Sequence, residues 1–71
     1  MPKKESYSSR KELIGDWYPE IMNAADFFMP EYQVGDMTIR GLANAVREKM
    51  YEDYDVSLTQ AELIDIFVDE F

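Results

Sequence analysis

Apolar residues recur along this chain three and four positions apart, the period of a helix buried on one side. Ile21, Ala24, Ala25 and Phe28 fall on one such face, and Ile39, Leu42, Val46 and Met50 on another. Leu63, Ile64, Phe67, Val68 and Phe71 make a third, broader face. Polar punctuation separates the three. Ser9 opens the first element, with Glu12 three residues on in a capping-box arrangement. Gly15 and Pro19 then interrupt, and Asp16 is placed to cap a segment running to about Met29, where Pro30 stops it. Residues 9–29 therefore read either as one kinked helix or as two short ones.

The stretch "PEYQVGDM" is a loop with Gly35 and Asp36 as its turn residues. Asp36 or Thr38 caps the next helix, which runs through about Glu52. Gly41 costs that helix about 1 kcal/mol relative to Ala, and close approach of a neighbouring helix is the expected reason. The last helix has the clearest start. Thr59 and Glu62 form a capping box, Leu58 and Leu63 supply a hydrophobic staple, and Ser57 with Gln60 offers an overlapping cap. The expected fold is all-α, a compact bundle of three or four short helices. It forms a single helical domain over residues 9–71, behind a flexible basic tail of residues 1–8.

Composition narrows the chemistry. With 71 residues the chain makes one small domain with a thin stability margin. There is no Cys and no His, which removes disulfides, thiolate nucleophiles, the usual transition-metal ligands and the commonest general base. Catalysis by carboxylates alone needs a cleft that a chain this short seldom builds. The expectation is a protein that is not an enzyme and needs no cofactor. The longest apolar runs are a few residues, too short to cross a membrane, and no apolar segment follows the basic N-terminus as a secretory signal requires. A cytoplasmic protein is expected.

Charge is uneven. The formal net charge is −8. Residues 1–12 carry four basic and two acidic side chains, residues 13–49 three and six, and residues 50–71 none and seven. Such a field repels nucleic acid and steers basic partners toward the C-terminal surface. Lys3, Lys4, Arg10 and Lys11 are too few and too scattered for a nucleic-acid module, so direct nucleic-acid binding is not expected. The segment "YEDYDVSLTQAELI" resembles a calcium loop at first. Asp53, Asp55 and Ser57 occupy ligand positions, but Leu58 stands where the turn glycine belongs and Ile64 where the bidentate Glu belongs. No metal site is expected.

Two candidate surfaces remain. Glu62, Asp65 and Asp69 lie at i, i+3 and i+7, Glu70 borders them, and Glu52, Asp53 and Asp55 continue the acidic face from the preceding turn. No cation interrupts this set, although Asp65, Asp69 and Glu70 stand at the negative end of the helix dipole. The face is either solvated surface or a docking surface for a basic groove, including one that normally holds nucleic-acid phosphates. The second candidate is apolar. Phe27, Phe28 and Met29 are consecutive, so no helix buries all three, and Tyr32 follows one turn later. A Met-containing apolar patch of this kind suits protein contact. Trp17, Tyr18, Phe27, Phe28, Tyr51, Tyr54, Phe67 and Phe71 mostly sit where a small core wants bulk, so core is the first expectation even for the Phe27–Tyr32 patch, with one of its members left partly exposed.

Leu42–Ala43–Asn44, then Tyr51–Glu52–Asp53, then the closing helix from Thr59 together resemble the YozE-like family of small bacterial proteins, which has a SAM-like helical fold. The resemblance covers less than half of the chain. It implies a compact helical domain and no catalytic residues. The expected function is that of a small acidic module that binds a protein partner, with or without a basic surface on that partner. The alternative is a nucleic-acid mimic, bacterial or phage-encoded, that blocks the basic site of a DNA- or RNA-binding protein. Homodimerisation through exposed aromatics is compatible with either.

Overall fold

Ser9, Thr38 and Thr59 each start a helix by accepting a hydrogen bond from the third residue on: from the Glu12, Gly41 and Glu62 amides at 3.2, 3.0 and 3.2 Å. The computed structural model describes residues 6–71, so Lys3 and Lys4 of the expected tail lie outside the described residues. The three caps open α1 (Arg10–Gln33), α2 (Ile39–Tyr54) and α3 (Gln60–Glu70). No strand occurs among the described residues. The fold is all-α, a bundle of three helices among the described residues, none of them long and apolar enough to cross a membrane.

The first helix is longer than expected. It is one continuous element of 24 residues that runs through both Pro19 and Pro30. A proline inside a helix costs about 3 kcal/mol, because it removes one hydrogen bond and crowds the carbonyl four residues back. Here both rings face solvent, as do Gly15 and Asp26, whose carbonyls lose their helical partners and are left to water. The apolar stripe does not change phase at either proline. Trp17, Ile21, Ala24 and Ala25 are buried, and Phe28 and Tyr32 continue the line against the core. Burial of each large apolar side chain is worth about 1.5–3 kcal/mol, enough to carry the helix across both breaks. It stops at Gly35, in the left-handed region at φ 86°. There the Gly35 amide donates to the Tyr32 carbonyl and the Asp36 amide to the Glu31 carbonyl, a Schellman closure.

Asp55 ends α2, also in left-handed geometry at φ 58°, which Asp tolerates better than most residues. Val56 and Leu58 of the connection are buried. Leu58 lies ahead of the Thr59 cap and Leu63 lies inside the core, as a hydrophobic staple requires. Gly41 has a different reason from the expected one. A Cβ there would meet Met37 Cγ at 3.3 Å and Thr38 Oγ1 at 3.4 Å, so the crowding comes from the helix's own cap and not from a neighbouring helix.

α2 is the central element, with Leu42, Ala43, Val46 and Met50 fully buried. α1 and α3 reach each other through side chains alone. Arg10 meets Glu62 and Tyr18 meets Glu70, the same eight-residue step on both helices, so the two run in the same direction. Tyr32 and Phe71 close the far end, with ring centroids 6.2 Å apart. At the near end Tyr7, from the segment expected to be tail, packs against the core. Its hydroxyl donates to Asp16 Oδ2 at 2.9 Å and accepts from Trp17 Nε1 at 3.2 Å, which satisfies the buried indole N–H.

Candidate functional site

Of the seven acidic residues singled out from the sequence, Glu62, Glu70 and Asp53 are engaged by other side chains. Glu62 turns toward α1. Its Oε1 accepts from Arg10 Nη2 at 2.8 Å and from the Thr59 amide at 2.9 Å, and its Oε2 accepts from Arg10 Nε at 2.9 Å. The Arg10 guanidinium and the cap hold this carboxyl at about 2, well below the usual carboxylate range, although partial burial opposes them. The same bond raises the Arg10 pKa. Arg10 Nη2 also donates to the Ser57 carbonyl at 2.8 Å, so one guanidinium fastens α1 to the connection and to the start of α3. Glu70 accepts from the Tyr18 hydroxyl at 2.7 Å, and that bond raises the tyrosine pKa.

Asp53 pairs with Lys49 at 3.1 Å across one turn of α2, and Asp55 is the left-handed cap. Asp65 and Asp69 stay exposed on α3. Among the described residues, no three carboxylates converge as a metal site would require.

The apolar patch also divides. Tyr32 faces Phe71, the residue that caps α3, which itself stacks on Phe67 at 5.4 Å. Met29 is half-buried. Phe28 packs against the core and meets Phe27 edge-on at 5.0 Å. Phe27 is the one member that projects, 67% exposed. Lys49 Nζ lies over its ring, 4.7 Å from the centroid, with Asp53 behind the ammonium. Lys49 is thus engaged both by a carboxylate and by an aromatic face.

Phe27 and Phe28 form one wall of a groove of about 250 Å³ between α1 and α2, whose other side is Ala45, Glu48, Lys49 and Glu52. The four α2 residues follow the i, i+3, i+4, i+7 pattern beside the buried stripe. Ala45 leaves the floor open, while Glu48 and Glu52 stand one turn apart. Sequence reading grouped Glu52 with the acidic residues of α3 and did not single out Glu48 or Lys49. The small residue at position 45, one turn before Glu48 and Lys49, was the available signal.

A second depression of about 180 Å³ lies beside Arg47, Tyr51, Ser57 and Leu58. Tyr51 is exposed instead of lying in the core. Val68 and Phe71 are likewise 63% and 48% exposed, because the broad apolar face expected of α3 is wider than the area that α1 and α2 cover.

Comparison with protein-family models, with curated proteins and with solved structures finds no match to this chain.

Proposed function

We propose that this protein is a small acidic, non-catalytic cytoplasmic module that docks a protein partner through the α1–α2 groove, with Phe27 as the anchor. The observation that carries this reading is the state of Phe27. It is two-thirds exposed, yet braced by Phe28 and by the Lys49 ammonium. Contact surfaces are dominated by a few aromatic side chains seated beside a pocket, and a braced ring loses little conformational freedom when a partner covers it. The absence of cysteine and histidine favours binding over chemistry.

A second reading has its own observation. α3 carries no cation, and Asp65 and Asp69 remain open to solvent. A nucleic-acid mimic would use these two, since Glu62 and Glu70 are already engaged by α1.

The two readings part on one comparison. Wild type, Phe27→Ser and Asp65→Lys/Asp69→Lys are used as bait in a bacterial lysate at low and high salt. Phe27→Ser is expected to release the partner while the charge reversal retains it. The opposite pattern, with release by competing DNA, would make mimicry the function and the groove incidental. All three positions are exposed, so circular dichroism should show wild-type helicity for each variant.

A further inference from the structure

We infer that the occupant of the α1–α2 groove is a basic amphipathic helix, offering an apolar anchor to Phe27 and two Lys or Arg side chains, one turn apart, to Glu48 and Glu52. The inference rests on the reading above that the groove is the docking site, and adds to it the chemistry of what docks.

Charge comes first. Lys49, the cation of the groove, is already engaged by Asp53 and by the Phe27 ring. Glu48 and Glu52 are exposed and carry no hydrogen bond or ion pair among the described residues. The groove therefore presents two uncompensated carboxylates beside the apolar Phe28 and Ala45. A neutral or acidic guest would strip water from those carboxylates without replacing it, a cost that complementary charge avoids. Nucleic acid and anionic lipid are disfavoured by the same carboxylates.

A second copy of this chain is a poor guest. Each copy has a net charge of −8, and a symmetric contact would bring four glutamates together against two lysines already in use.

Geometry then selects the shape of the guest. Carboxylates at i and i+4 are about 6 Å apart, the same step that separates basic residues one turn apart on a guest helix. Ala45 to Glu52 spans about 10 Å of α2, which matches two turns of guest. No strand occurs among the described residues, so there is no sheet edge for an extended peptide to join. An amphipathic helix laid in a groove is the recognition mode whose one-turn anchor spacing matches Glu48 and Glu52. The like-charge repulsion between Glu48 and Glu52 is also relieved when cations arrive.

The test is fluorescence anisotropy with a labelled alanine-based helical peptide carrying a Trp anchor and two Lys one turn apart, beside the same peptide with Glu in place of Lys. Saturable binding of the Lys peptide by wild type is expected, at least about tenfold weaker for Glu48→Lys/Glu52→Lys and for Phe27→Ala. The Glu peptide should not bind measurably. Binding unchanged by the charge reversal but lost with Phe27→Ala would overturn the basic occupant and leave the groove reading standing. Binding unchanged in Phe27→Ala would overturn both. Failure of wild type to bind the Lys peptide at about 1 mM would overturn the basic helix as occupant. In that case the groove reading still rests on the bait comparison.

Discussion

One carboxylate, Glu62, closes the cap of α3 and receives the Arg10 fork from α1, so a single residue joins local and tertiary structure. Its folded pKa is depressed from 4.5 to about 2. A depressed carboxyl contributes stability that is fully present above the unfolded pKa and is lost as pH falls through the folded value. The shift alone corresponds to about 3 kcal/mol. Arg10 is half-exposed, and solvent screening reduces the contribution to about 1–2 kcal/mol. The urea midpoint should therefore fall between about pH 5 and pH 2, and Glu62→Gln should be less stable at neutral pH with a shallower fall over that interval. An equal fall in both proteins would place the acid sensitivity in other carboxylates.

At the level of the helix, α1 shows how burial overrides local breakers. Pro30 lies inside the last turns of α1 with its ring in solvent, and the Asp26 carbonyl loses its helical partner there. Pro30→Ala restores that hydrogen bond and a better helix former. The unfolded chain gains freedom, which offsets part of the benefit. A net gain of about 1 kcal/mol is expected, read as a higher thermal midpoint with unchanged helicity. A fall in the midpoint would mean that the proline stabilises the folded path of α1 by more than the restored hydrogen bond is worth.

The whole molecule measures 38 × 22 × 16 Å, and its long axis matches the roughly 36 Å expected of a 24-residue helix. α1 sets the length, and α2 holds the other two together. Phe67 is fully buried, and truncation of such a side chain to Ala costs about 3–5 kcal/mol. Total stabilities of small domains start at about 5 kcal/mol. Phe67→Ala should therefore leave much of the protein unfolded at room temperature, seen as loss of helical circular dichroism. Val68→Ala, next along the chain but exposed, should change stability by about 0.5 kcal/mol or less. Equal effects at the two positions would contradict the observed orientation of α3.

Much of this was written locally in the chain. The caps at Ser9, Thr38 and Thr59, the buried stripe of α2 and the staple at Leu58 and Leu63 depend on residues within a few positions of each other, and periodicity and side-chain chemistry specify them. The all-α class follows from the same signals. Tertiary packing determined the rest. Residue spacing cannot show that burial against α2 outweighs two prolines, or that Glu62 and Glu70 turn toward Arg10 and Tyr18, 52 positions away. Nor can it show that Tyr7 completes the Trp17 indole, or that Phe27 meets Lys49 across the α1–α2 groove. Each of these depends on which helix faces land against one another, and that choice is made by the summed burial of the core and not by any one segment.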